Sequence, residues 1–104
     1  MAEVIWTEPA LADLDAIADY IALDDVAAAK RLVVAVLGRV LQLETYPESG
    51  PRVPELKKSR YRQLSEPPCR IFYRYDGRRS FILHVMRGER LLKPALLKKR
   101  PTRR

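Results

Sequence analysis

The sequence predicts an α+β domain in which an N-terminal strand and a helical hairpin pack on a mainly antiparallel sheet of about four strands. In the first 44 residues, apolar positions recur at spacings of three and four, which is the period of an amphipathic helix. The second half alternates and is rich in aromatic and β-branched residues, which is typical of strands. A stretch rich in proline at 47–54 separates the two patterns. Helices followed by strands indicate the α+β class.

The first half contains a short strand and two helices. The segment Glu3–Trp6 is apolar and β-prone, so we expect a strand there. Thr7 can cap the following helix, and Pro9 suits the first turn because the N–H that it lacks has no helical partner there. The apolar spacing predicts helices over roughly 8–22 and 26–44. Because very few residues join them, they should form an antiparallel pair.

The second half contains three strands and a basic end. Strand patterns cover the segments 60–65, 69–75 and 80–86. Asp76-Gly77 is a strong hairpin signal between the last two. Residues 91–98 predict a short C-terminal helix, and residues 98–104 a solvated basic tail. A chain of 104 residues predicts a single domain over 1–104.

Composition restricts the classes of function. The formal net charge of +7 favours an anionic partner, which is a nucleic acid, a membrane surface or an acidic protein. With one cysteine and one histidine, we expect no disulfide, no metal site and no cofactor. There is no signal-peptide pattern and no apolar run near the roughly 18 residues that a membrane span needs. The simplest expectation is a cytoplasmic protein with no membrane partner.

The strand 69–75 places arginine on one of its two faces. Alternation puts one set towards the helices, namely Cys69, Ile71, Tyr73 and Tyr75. The opposite, open face should then be cationic, with Arg70, Phe72 and Arg74. The arginines are either a solubilised and protected sheet face or an anion site, since guanidinium groups bind phosphate and carboxylate bidentately.

The next strand has two possible registers. An odd number of turn residues would bury Phe81, Leu83 and Val85 with the helix-facing set, and an even number would reverse this. His84 is more often a satisfied strand histidine than a catalyst, and Cys69 is expected to be a core thiol. No nucleophile–base pair is evident. The aspartates of the helical half, Asp13 among them, are expected to be helix-start or surface charge.

Several segments in order resemble the ParE/RelE superfamily of bacterial toxins. They are V-I-W-T-E-P-A-L-A-D-L at the start, then Y-R-Q-L, C-R-I-F-Y-R-Y and H-V-M-R-G-E-R-L-L. The resemblance extends from Val4 to about Leu97. It implies a small toxin that a co-expressed antitoxin neutralises, and a helical hairpin on a four-stranded sheet, in agreement with the pattern of the residues.

The RelE-like branch of this superfamily implies cleavage of messenger RNA on the ribosome. The reaction is attack of a 2′-hydroxyl on the adjacent phosphate, which needs a base, a proton donor and cations. The resemblance aligns Arg70 and Arg90 with arginines of the family. It matches Arg62 only approximately to a basic residue of the family's second strand. If the chain is a ribonuclease, its candidate residues are Arg62, Arg70, Arg90 and His84. The C-terminal tyrosine of the RelE pattern has no counterpart in residues 91–97.

The ParE-like branch implies inhibition of DNA gyrase, a type II topoisomerase. The opening T-E-x-A-x-x-D-L and the strand R-I-x-Y-R favour this branch. The sequence therefore favours an inhibitor that acts by binding, with the ribonuclease as the alternative and a generic basic nucleic-acid-binding domain third. The expected target-binding cationic face consists of Arg70, Arg74, Arg87 and Arg90.

The expected partner is an acidic ParD-like antitoxin, which the charge of +7 favours electrostatically. Its docking surfaces should be the helical hairpin and the sheet edge. The candidate contact residues are Leu11, Leu14, Ile21 and Arg62. The resemblance also implies a hetero-oligomeric toxin–antitoxin complex that binds operator DNA through the antitoxin.

Overall fold

The computed structural model describes residues 1–56, 58–88 and 97 of the chain. In chain order the elements are β1 (Glu3–Trp6), α1 (Glu8–Ala22), α2 (Val26–Leu41), β2 (Arg62–Glu66), β3 (Cys69–Tyr75) and β4 (Arg79–Arg87). Short 3₁₀ turns lie at Gln42–Glu44 and Pro54–Leu56. We call the second of these the 54–56 turn. The predicted order of strand, two helices and three strands is confirmed.

The four strands form one mixed sheet in the order β1-β4-β3-β2. β1 runs parallel to β4, while the β4–β3 and β3–β2 pairs are antiparallel. α1 packs against α2 and β4, and α2 contacts β2, so the helical hairpin covers one face of the sheet. This confirms the predicted α+β class and places β1 at an edge.

Side-chain caps begin both helices, as the sequence predicts for α1. The Thr7 hydroxyl accepts a hydrogen bond from the Ala10 N–H at 3.4 Å and donates to the Ile82 carbonyl at 2.6 Å. Asp25 caps α2 by accepting from the Ala28 N–H at 3.0 Å. Thr7 is fully buried, so its hydroxyl fixes the start of α1 against β4.

Several element bounds differ from the prediction. α2 ends at Leu41, and the expected last turn to Glu44 is a 3₁₀ turn instead. β2 begins at Arg62 rather than at residue 60, because the Ser59 hydroxyl binds the Tyr61 N–H and keeps the approach in a bend. Of the predicted C-terminal helix, only Leu97 is described, and it is helical and buried. The basic tail at 98–104 lies outside the described residues.

The main core lies between the sheet and the helices. Its sheet residues include Leu64, Cys69, Ile71, Tyr73, Ile82 and Val85, and its helical residues include Ala10, Leu14, Leu32, Val36 and Val40. The expectation that Cys69 is a core thiol is therefore confirmed, since its side chain is fully buried in this core.

A second core covers the opposite face of the sheet, and here the expectation of an open face is wrong. Its buried members are Ile5, Val53, Phe72, Phe81, Leu83, Met86 and Leu97. The end of the proline-rich stretch folds back over this face and buries Val53 completely. Local alternation along one strand does not reveal such a cover, because the covering residues come from a distant loop.

A β-bulge explains why neither register of β4 holds throughout. Near the turn, Tyr75 lies opposite Ser80 and Tyr73 opposite Ile82, whereas beyond the bulge Phe72 lies opposite His84. Leu83 is thus the extra residue, and the facing of the strand reverses there. Ile82 and Val85 consequently both face the helices, one from each predicted register.

The fold requires a glycine at position 50. A Cβ at Gly50 would lie 2.5 Å from the Gln63 carbonyl oxygen and 2.8 Å from the Tyr73 ring. The Gly50 N–H also donates to the Tyr73 hydroxyl at 3.0 Å, so the loop cannot move away without losing this bond.

We expect Gly50→Ala to lower the free energy of unfolding by about 1–3 kcal/mol, the typical cost of overpacking. The matched control is Gly38→Ala, at an exposed position of α2 where a Cβ meets nothing within 4 Å. That control should instead stabilise the protein by about 0.5–1 kcal/mol. Urea denaturation measures both, and equal effects would contradict the assigned close approach.

Candidate functional site

Arg70 is held by a carboxylate from the 54–56 turn. Its Nη1 and Nη2 atoms lie 3.0 and 2.9 Å from the two carboxylate oxygens of Glu55. The Gln63 side-chain oxygen accepts from the same guanidinium, at 2.7 Å from Nη2 and 3.2 Å from Nε. The guanidinium carbon also lies 4.8 Å from the centroid of the Phe72 ring. The arginine therefore has a bidentate anion partner within the protein.

Arg62 lies on the opposite face of the sheet and binds the loop before the 54–56 turn. Its guanidinium donates to the carbonyl oxygens of Gly50 at 2.8 Å and Glu48 at 3.1 Å, and its Nη2 lies 3.5 Å from the Glu48 carboxylate. In the same loop, the Tyr73 hydroxyl donates to the Pro47 carbonyl at 2.9 Å. Burial raises the pKa of Tyr73, so its hydroxyl stays protonated and can donate this bond.

His84 pairs with an aspartate of α1. Its Nδ1 lies 2.7 Å from Asp13 Oδ2, and the same oxygen accepts a hydrogen bond from the Val85 N–H at 3.1 Å. The Asp13 carboxylate therefore supplies a hydrogen-bond acceptor to the backbone of β4, in the part of that strand that lies beyond its pairing with β1. The expectation that Asp13 is surface or helix-start charge is wrong, because its carboxylate points to the sheet.

The described ribonuclease candidates do not form one cluster. Arg62 and Arg70 lie on opposite faces, and Arg90 lies outside the described residues. Arg70 and His84 share a face and both contact the Phe72 ring, which stacks on His84 with centroids 5.8 Å apart. Each of these two side chains is engaged with a different carboxylate.

The predicted cationic target face is also divided. Arg74 lies over the Phe81 ring, 5.6 Å from its centroid, on the face of the second core. Arg87 lies on the helix side, 5.8 Å from the Tyr20 ring of α1. The bulge in β4 reverses its facing and so places Arg87 on the helix side, away from Arg70 and Arg74.

The candidate antitoxin-binding residues occupy different depths. Leu11 is 42% exposed, whereas Leu14 is only 3% exposed and belongs to the main core. Ile21 is half-buried and lines an apolar groove of about 310 Å³ with residues of α2 and the Pro67-Pro68 turn. Leu14 is thus not part of the exposed surface.

An exposed apolar stripe on α2 was not singled out from the sequence. Val34, Leu37 and Leu41 are 70%, 42% and 58% exposed and follow one another at spacings of three and four. We call these three residues the α2 stripe. The same apolar period places Val36 and Val40 in the core. The sequence signal for the α2 stripe is therefore that α2 has more apolar residues than a single helix face can bury.

Among residues 1–56, 58–88 and 97, no group of three His, Cys, Asp or Glu side chains could hold a metal ion. No helix in this part of the chain is both long and apolar enough to cross a membrane.

Comparison with known proteins identifies relatives of this fold. Residues 4–92 match the family model of the ParE toxin of the type II toxin–antitoxin system, parDE. The chain is 36% identical over 89 residues to Toxin RelE2 of Caulobacter vibrioides, covering 84% of this chain and 92% of the relative. It also resembles a solved structure of the chromosomal ParDE system from P. aeruginosa, with a TM-score of 0.71 and 30% identity over 86% of this chain and 98% of that one.

The helical hairpin on a mixed four-stranded sheet, together with these matches, defines a toxin of the ParE/RelE superfamily. The chain belongs to the ParE toxin family of type II toxin–antitoxin systems.

The Asp13 contacts lead to a test of stability. We expect Asp13→Ala to lower the free energy of unfolding by about 1–3 kcal/mol, because the Val85 N–H and the His84 ring would lose their shared acceptor. Asp15→Ala, at an exposed position on the same helix, should change it by less than about 0.5 kcal/mol. Chemical denaturation of both variants measures the difference, and similar losses would show that the Asp13 pair contributes nothing specific.

Proposed function

We propose that this chain inhibits DNA gyrase by binding and so blocks replication and growth, and that an acidic ParD-like antitoxin neutralises it. One observation supports inhibition by binding above all others, namely that the partly buried guanidinium of Arg70 is already paired with the Glu55 carboxylate. A ribonuclease needs its arginine directed at the substrate phosphate, with a base and a proton donor beside it. The resemblance of the opening segment and of β3 to the ParE branch supports gyrase as the target.

The test compares two targets with one preparation of purified chain. We expect it to inhibit supercoiling of relaxed plasmid by gyrase and to increase gyrase-linked cleaved DNA. Ribosome-bound messenger RNA should remain intact in the same concentration range. Cleavage of the RNA with unaffected supercoiling would contradict the proposal.

A RelE-like, ribosome-dependent endoribonuclease is the second candidate. The observation in its favour is that Arg70 and His84 both contact the Phe72 ring, so that a cation and an imidazole share one face of the sheet. If the purified chain cleaves ribosome-bound messenger RNA, the His84→Gln variant should lose that cleavage.

The antitoxin is proposed to dock on the α2 stripe and on Leu11 of α1, which is also exposed. An amphipathic segment binds such a surface through apolar residues at helical spacing. Lys30 and Arg31 are exposed one turn before the stripe, where they favour a partner with acidic residues. The complex would be hetero-oligomeric, act in the cytoplasm and bind operator DNA through the antitoxin.

We expect the double variant Val34→Glu with Leu41→Glu to weaken antitoxin binding by at least about tenfold, because both positions would form the apolar centre of the interface. The matched control is Ala12→Glu with Ala16→Glu, two exposed positions of α1 that give the same change in charge. Calorimetric titration with the cognate antitoxin measures the affinities. Equal weakening in the two variants would place the interface elsewhere.

A further inference from the structure

The outer face of α2 is apolar at its centre and carries opposite charges towards its two ends. The exposed α2 stripe lies at the centre. Lys30, one turn before the stripe, is exposed, and Glu44, in the 3₁₀ turn after α2, is half-buried. The backbone stays in the helical region as far as Thr45, so this turn continues the direction of the helix. Such a face fits a partner that has the same three parts in the reverse order.

The spacing of these residues makes the face symmetrical about Leu37. Lys30, Leu37 and Glu44 lie seven residues apart, which is close to two turns, so they follow one another along one flank of α2. Val34 and Leu41 are also seven residues apart and form a neighbouring row. An antiparallel copy related by a two-fold axis near Leu37 reverses both rows. Lys30 then lies opposite Glu44 of the copy. Val34 lies opposite Leu41 of the copy.

A glycine beside the stripe allows a second helix to come close. Gly38 is exposed in the middle of α2, where glycine disfavours the helix. A Cβ at this position would meet nothing within 4 Å, so the packing of the described part of the chain does not require a glycine here. The distance between two packed helices depends on the side chains at their contact. The two-fold axis near Leu37 would place Gly38 at that contact in both copies.

We propose that the free chain forms a weak antiparallel dimer through α2, with a second copy of itself as the partner. The interface is isologous, because the same residues serve on both sides. One helix of each copy forms it, so the buried area is small and the dimer should depend on concentration. The inference goes beyond gyrase inhibition and antitoxin binding, because it concerns the chain before either partner is bound.

The dimer and the antitoxin would compete for the same surface. The antitoxin is proposed to dock on the α2 stripe, which the dimer covers. Binding of the antitoxin should therefore separate the two copies. The second copy keeps the apolar stripe out of water until the antitoxin binds.

Sedimentation equilibrium of the purified chain without antitoxin, over a wide range of concentration, tests the proposal. We expect a reversible equilibrium between the 12.0 kDa monomer and a species of twice that mass. Lys30→Glu and Glu44→Lys should each weaken the dimer by at least about fivefold, because each places like charges opposite each other twice in the interface. A mixture of the two variants should associate about as well as the wild type, because the reversed charges are then complementary.

The matched control pair is Lys58→Glu and Asp15→Lys, two exposed positions outside α2 that give the same changes in charge. Each control should leave the dimer constant within about twofold, and mixing the two should give no gain. Thermal denaturation checks that every variant is folded. If Glu44→Lys does not fold, Leu37→Glu replaces it, because it brings the carboxylates of the two copies together at the axis. It should leave only monomer, and an unchanged dimer would overturn the proposal.

The proposal fails if the chain stays monomeric at every concentration, or if the mixture of Lys30→Glu and Glu44→Lys does not restore association. Titration with the cognate antitoxin separates this inference from the proposed antitoxin site. An antitoxin that binds while the dimer stays intact would support the dimer and place the antitoxin site away from the α2 stripe. A monomeric chain whose antitoxin binding depends on the stripe would overturn the dimer alone.

Discussion

The pairing of β1 with β4 is the constraint on which the rest of the structure depends. It joins the first residues of the chain to the last described strand, and Thr7 fixes the junction by donating its hydroxyl to the Ile82 carbonyl at 2.6 Å. Because β1 is parallel to β4, the chain must cross over the sheet between them, and the helical hairpin makes that crossing. The helices therefore cover one face, and the loop after α2 is left to cover the other.

Cover on both faces determines what the strand arginines can do. An arginine close to a core loses water and needs an acceptor, because an unpaired charge there costs several kcal/mol. Arg70 and Arg62 obtain acceptors from the proline-rich stretch and the turn that follows it, Glu55 on one face and the 48–50 backbone on the other. The same cations that suggest a phosphate site from the sequence thus hold the loop in place.

The sequence predicts the local part of this structure well and the long-range part poorly. Period and capping predict α1 and the order of elements, since each depends on neighbours within a few residues. The partners of His84 and Arg70 lie 71 and 15 residues away, and nothing in the period of either strand indicates them. The bulge at Leu83 is likewise visible only in the pairing of β3 with β4, which the residue pattern of one strand does not indicate.

The charges on this toxin are better understood by their partners than by their number. A net charge of +7 suggests a broad cationic surface, yet Arg62, Arg70 and Arg79 each have a carboxylate partner. Exposed apolar residues, by contrast, are concentrated along α2 at helical spacing, where the fold provides no cover. A surface of this kind binds a protein more readily than it positions a phosphate for cleavage, since catalysis needs charges directed at the reacting atoms. This balance supports a toxin that acts by docking on a protein target.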